Sequence, residues 1–325
     1  MSTSPPPYSS SLSNPASDEK MAAPVRRLLV TGATGKQGGA LIKALLKKPS
    51  QPFEIYAVTR KSGSASAQAL ASKPNVKIVE GNLKNIDSIM SQIPKPVWGV
   101  FSVPMLDNGI KNEEAYGYAL DDAAVRAGTS HIVFTSTERG GQEQSENDPT
   151  VVPHFASKFR IEQDIKAKAA ESDGKLTYTF LRPVAFFENQ PKNFIGQAFI
   201  SMWRMNGLDR PLQMIASSDI GEVAAEAFLK ASEPEYKNKG ISLAGDELTP
   251  NQAAEIFKKV TGEEIPATYG SIAAAIRWMV GDLHHMFAWF AKEGFAADVK
   301  GLRAKYPFMK DYETWLRQES AWKRV

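Results

Sequence analysis

The sequence contains no cysteine. Disulfides, thiolate nucleophiles, cysteine-ligated zinc and iron–sulfur clusters are therefore excluded. The absence fits a reducing compartment, so the expected location is the cytoplasm, with the nucleus left open. Long apolar runs are missing too. With no stretch of about 18 uninterrupted apolar residues, nothing is expected to span a bilayer. Charge of one sign is not in surplus: 39 basic and 36 acidic side chains leave a net +3. That is too little to argue for nucleic acid or an anionic membrane, and the basic residues form no stripe. Lys323 and Arg324 read as a solvated terminus. Residues 1–24 also lack the basic n-region and apolar core of a signal peptide. Rich in Ser and Pro, they cannot bury enough apolar area to offset their ordering entropy. They read as a disordered leader, with Met21 an alternative start.

The remaining length accommodates one large α/β unit and an appended subdomain. Six short β-branched or aromatic runs begin near Arg26 and continue at Phe53 to Arg60, Val76 to Gly81, Val97 to Pro104, His131 to Thr137 and Leu176 to Pro183. Amphipathic stretches separate them, among them Gly38 to Lys48, Glu113 to Ala127 and Phe155 to Ala170. Near-continuous apolar strands alternating with helices predict an α/β fold: a Rossmann-type, doubly wound parallel sheet covered on both faces. The expected boundaries are 25–185 for this domain and 186–325 for a smaller, mostly helical C-terminal subdomain that holds a substrate or partner. The boundary is blurred, because Ile241-Ser242-Leu243 can return to the sheet as a strand. Thr249-Pro250 starts a helix that should stop at Gly262. From Ile272 to Lys292 an aromatic- and Met-rich stretch reads as a long helix forming core or a lid.

The sharpest motif is Thr31-Gly32-Ala33-Thr34-Gly35-Lys36-Gln37-Gly38-Gly39, directly after an apolar strand and opening a helix. Glycines allow backbone to approach a pyrophosphate, and the helix N-terminus supplies free N–H groups with partial positive charge. Without the Gly-Lys-Ser/Thr ending of a P-loop, a dinucleotide is expected rather than ATP. At the end of the second strand, where NAD binders place a carboxylate, stands Val58-Thr59-Arg60. Glu54 lies at the wrong end of that strand. Arg60 can bond a ribose 2′-phosphate bidentately, which favours NADP(H); the alternative is a solvated surface charge.

The chain resembles the NmrA-like branch of the short-chain dehydrogenase/reductase superfamily, on the glycine motif just quoted, Gly81-Asn82, His154-Phe155-x-x-Lys158, Leu181-Arg182-Pro183 with Phe187-Glu188-Asn189, and Trp315-Leu316. That resemblance implies cofactor contacts from Gly32, Thr34, Gly35, Lys36, Gln37, Gly38, Arg60, Asn82, Thr135, Lys158 and Pro183, with Lys158 on the nicotinamide ribose and Ser136 beside Thr135 lining the site. The superfamily's catalytic Tyr-x-x-x-Lys is altered, since His154 stands at the Tyr position; the literal Tyr306 to Lys310 contains Pro307 and is discounted. Catalysis would then fall to Lys158 as acid, or to His154, which otherwise is a structural residue at a helix start.

The resemblance implies an NADPH-dependent oxidoreductase acting on a small aromatic or secondary-metabolite substrate. Its alternative is a non-catalytic redox sensor that binds a transcription factor, and a third reading is a protective quinone reductase. Neither direct nucleic-acid contact nor a membrane partner is expected, and the chain should be a monomer or homodimer. His284-His285 offers no third ligand, so no metal is expected. No Gly-x-Ser-x-Gly elbow suggests a hydrolase.

Overall fold

A computed structural model describes residues 1, 25–48, 53–104 and 109–322. Apart from Met1, the leader lies outside the described residues, as do Lys323 and Arg324. In chain order the first half contains β1 (Arg26–Val30), α1 (Lys36–Leu46), β2 (Phe53–Thr59), α2 (Ala65–Ala71), β3 (Val76–Glu80), α3 (Ile86–Met90), β4 (Gly99–Ser102), α4 (Ile110–Arg126), β5 (His131–Thr135), α5 (Gln142–Asn147), α6 (Pro153–Glu171) and β6 (Thr177–Pro183). The second half contains β7 (Ala185–Phe186), α7 (Phe194–Arg204), β8 (Leu212–Ile215), α8 (Ser217–Leu229), β9 (Lys239–Leu243), β10 (Asp246–Leu248), α9 (Pro250–Thr261), α10 (Gly270–Met279), α11 (Gly281–Lys292), α12 (Val299–Lys305) and α13 (Tyr312–Gln318).

Seven strands form one parallel sheet in the order β3-β2-β1-β4-β5-β6-β9. The order reverses between β1 and β4, which opens the crevice where such sheets bind ligands. Apolar residues run without a break along β1 because both faces are covered. Leu28 and Val30 pack with α1 and α8 on one face, while Leu29 packs with α3, α4 and α6 on the other. The α1–α8 contact depends on Gly221, where a Cβ would stand 2.5 Å from the backbone and Cβ of Ala40 and 2.7 Å from the Leu41 nitrogen. Gly221→Ala should therefore destabilise the protein by about 1–3 kcal/mol through overpacking, read as a lower urea midpoint.

The expected parallel sheet, its six strands and the return of Ile241-Ser242-Leu243 as β9 are all present. Thr249 caps α9 in a reciprocal capping box with Gln252, and Gly262 ends the helix at φ +76°. Two features differ from expectation. A second sheet, β10-β8-β7, lies in the C-terminal half. Its strands of two to four residues are too short to show a period. The Ile272 to Lys292 stretch is two helices, broken where β-branched Val280 adopts extended backbone (φ −105°, ψ 92°) before Gly281. Trp278 and Met279, at the break, are exposed rather than packed in the core. Helices α7, α9, α11 and α13 share an aromatic core built on Trp203, Phe257, Phe287 and Trp315.

Candidate active site

The glycine motif forms the turn from β1 into α1. Gly32 has φ +59°, a left-handed conformation that strains any residue with a Cβ, and its carbonyl accepts the Gly35 N–H at 2.8 Å. A side chain on Gly38 would collide with that same carbonyl. No side chain caps α1, whose N-cap is Gly35, so its first N–H groups remain open. They border a cavity of about 560 Å³ that Thr34, Gly35, Lys36, Gln37 and Gly38 also line.

On the far side of this cavity lie Arg60 and Asn82. Arg60 is exposed just beyond β2, and among the described residues no carboxylate pairs with it. Asn82 caps the following turn, its Oδ1 accepting the Lys84 N–H at 3.1 Å. Lys36 reaches across to donate to the Glu188 carbonyl at 3.0 Å, bridging to the C-terminal half.

A second cavity of about 280 Å³ shares Gln37, Val103 and Phe186 with the first. Thr135, Ser136, His154, Lys158 and Pro183 all line it, so residues scattered over some fifty positions meet there. Much of the remaining lining is apolar, including Phe155, Phe199, Met286, Phe290 and Phe295. Thus α11 supplies both core and pocket wall. Two buried polar atoms at these cavities, Gln37 Oε1 and Thr135 Oγ1, have no hydrogen-bond partner. Buried polar groups are normally satisfied, so both are open to a water or a ligand atom.

Sequence reasoning missed Glu113. This carboxylate, on the first turn of α4, is fully buried at the floor of the second cavity. Lys158 Nζ stands 3.2 Å from Oε1, His154 Nδ1 3.2 Å from Oε2, and the Ser157 hydroxyl donates to Oε2. Burial alone would raise the Glu113 carboxyl, but the Lys158 ammonium and the hydrogen bonds from His154 and Ser157 hold it at about 2. The helical spacing held a signal. Glu113 falls on the same α4 face as buried Gly117, Leu120 and Ala124, where an acid needs a partner. Lys158 also donates to the Thr135 carbonyl at 3.2 Å.

Behind the site, Glu162 lies between Arg139 and Arg182, all three side chains fully buried. Arg182 of the Leu181-Arg182-Pro183 motif thus braces the sheet rather than lining a cavity. The discounted pair is remote from this chemistry: Tyr306 is buried beside Tyr236, and Lys310 pairs with Asp219. His284 and His285 are exposed neighbours on α11.

The sequence profile of the NmrA-like family matches residues 24–315. The NmrA-like oxidoreductase FrzB of Cladobotryum sp. is 31% identical over 291 residues, covering 79% of each chain. Among solved structures, NmrA, a negative transcriptional regulator in complex with NADP, is 18% identical with a TM-score of 0.68, covering 91% of this chain and 96% of its own. Triphenylmethane reductase of Citrobacter sp., complexed with NADP(H), is 18% identical with a TM-score of 0.65, over 90% of this chain and 99% of its own. On the span of the profile and the FrzB match, the chain belongs to the NmrA-like family.

Proposed function

We propose that this protein is an NADP(H)-dependent oxidoreductase acting on a small, uncharged aromatic or secondary-metabolite carbonyl compound or quinone. One observation carries the reading: Lys158 and His154 line an aromatic-walled cavity that shares Gln37, Val103 and Phe186 with the cavity at the glycine cradle. Holding the coenzyme does not by itself call for a His154–Glu113 pair beneath an apolar pocket, whereas proton transfer to a substrate does. The open N–H groups of α1 suit a diphosphate, and Arg60 suits an adenosine 2′-phosphate. The orphaned Gln37 Oε1, on a residue shared by both cavities, and Thr135 Oγ1, on a residue of the second, suit the coenzyme's polar atoms. Bound there, the nicotinamide supplies a hydride to the neighbouring cavity. Lys158 holds the ribose hydroxyls and places positive charge beside a developing oxyanion. Because Glu113 already neutralises Lys158, no unpaired ammonium is left to hold an anionic substrate, which favours a neutral one. The FrzB oxidoreductase and the NADP(H)-bound reductase support this reading.

The test is to titrate the protein with NADPH and NADH, then follow nicotinamide absorbance with a panel of enones, quinones and aromatic ketones. Saturable NADPH binding with oxidation by some panel member is expected. Tight binding without oxidation, together with a protein partner whose capture depends on the NADP+/NADPH ratio, would mean a regulator like NmrA instead. Arg60→Glu should weaken NADPH about 10- to 100-fold, the worth of one or two charge-assisted hydrogen bonds, while sparing NADH. Retained preference for NADPH would refute the Arg60 assignment.

A further inference from the structure

We propose that His154 Nε2 is the proton donor of this site and that Glu113 is its positioning residue, holding the ring by Nδ1 with Nε2 free for the cavity, while Lys158 keeps its proton throughout. This rests on the oxidoreductase reading above.

The geometry assigns the ring's hydrogens. Held at about 2, Glu113 is a carboxylate at neutral pH and can only accept. Its Oε2 lies 3.2 Å from His154 Nδ1, so Nδ1 must carry the hydrogen in both protonation states of the ring. Nε2 has no partner among the described residues, on a side chain that lines the second cavity. Because that side chain is 20% exposed, water can restore its proton. Three charged groups face the ring's position: Glu113 from α4, Lys158 one turn along α6, and Asp282 from α11. The Asp282 carboxylate accepts the His154 backbone N–H at 3.2 Å, fixing the start of α6. Lys158 is a poor donor by comparison, since proton loss would leave Glu113 as an uncompensated buried charge.

The step balances. As the carbonyl carbon takes the hydride, the π pair moves to oxygen, the dihydronicotinamide is oxidised and the carbonyl reduced. The new O–H bond forms while the Nε2–H bond of the imidazolium breaks. Nε2 keeps that electron pair, and water reprotonates it.

Nitrogen-detected NMR of the ¹⁵N-labelled protein without coenzyme tests the arrangement directly. In its neutral form His154 is expected as the Nδ1–H tautomer, which is the less common one in water. An Nε2–H tautomer would overturn the proposal whether or not any substrate turns over. Glu113→Gln, which replaces an obligatory acceptor by an amide, should release the ring toward Nε2–H; should that variant not fold, the wild-type tautomer still decides. The same titration gives the His154 midpoint. Turnover with the best panel substrate should fall about tenfold per pH unit above it, and a profile flat through the midpoint also overturns the proposal. His154→Phe should lose about 100-fold in turnover. Failure of every panel compound to oxidise NADPH would instead sink the oxidoreductase reading and leave the tautomer to decide the pairing of His154 with Glu113.

Discussion

Lys158→Met should lower NADPH turnover about 10²- to 10³-fold, the usual cost of removing one preorganised electrostatic donor. It should also destabilise the fold by about 3 kcal/mol. The two losses have different origins. Methionine matches the lysine stem in bulk, so the cavity wall survives. What disappears is the ammonium 3.2 Å from Glu113 Oε1 and 3.2 Å from the Thr135 carbonyl. A fully buried carboxylate is then left with only the hydrogen bonds of His154 and Ser157. Adding Glu113→Gln removes the stranded charge, so the double variant should recover stability in urea unfolding without recovering turnover. Recovery of both would mean that Lys158 only neutralises Glu113. The stability deficit should also depend on pH in a definite direction. Folding holds the Glu113 carboxyl at about 2 against its ordinary 4.5. Its contribution is therefore complete above pH 4.5 and lost as pH falls toward 2. The deficit of Lys158→Met relative to wild type should be widest above 4.5 and close toward 2. A deficit constant across that range would show that the Lys158–Glu113 pair is not its source.

The parallel sheet was legible because burial on both faces leaves a coarse imprint, as in Leu28-Leu29-Val30, whose neighbours pack on opposite faces. The glycine turn between β1 and α1 was legible because Gly32 and Gly38 meet backbone constraints that only glycine satisfies. Glu113 was not read, since nothing local to α4 reveals that a helix beginning forty residues later brings His154, Ser157 and Lys158 onto the same carboxylate. The break at Val280 was hidden for a related reason. The Ile272 to Lys292 stretch keeps apolar residues on several faces, and its interruption depends on how α10 and α11 dock rather than on a proline or cap. Pocket shape is the least local property of all: Phe155, Phe199, Phe290 and Phe295 come from α6, α7, α11 and the segment after it.

Glu162→Gln should cost about 3–5 kcal/mol, the penalty for breaking a buried ion pair from one side. Glu162 accepts from Arg182 Nε at 3.0 Å and Nη2 at 2.7 Å, and from Arg139 Nη2 at 3.0 Å. Replacing it strands two guanidinium groups with no exposure. Arg182 keeps Glu146 at 2.8 Å, but Arg139 keeps only neutral acceptors within hydrogen-bond distance, among them the Thr137 carbonyl at 2.9 Å and Ser136 Oγ at 3.2 Å. Those two residues extend the tip of β5 into the second cavity. A looser Arg139 should therefore weaken NADPH binding as well as the fold. Nor can the sheet close over the gap: β9 passes so near Arg182 that a Cβ on Gly240 would stand 2.8 Å from Nη2. Thermal unfolding should show a fall of about 10 °C, as such a loss implies for a domain of this size. Glu313, which pairs with Lys259 and Arg317 at the surface, is the control, because solvent already screens both partners and Glu313→Gln should cost about 1 kcal/mol or less. Equal effects at the two glutamates would refute the bracing role. A large loss at Glu162 with unchanged NADPH affinity would confine that role to stability and separate it from the β5 tip.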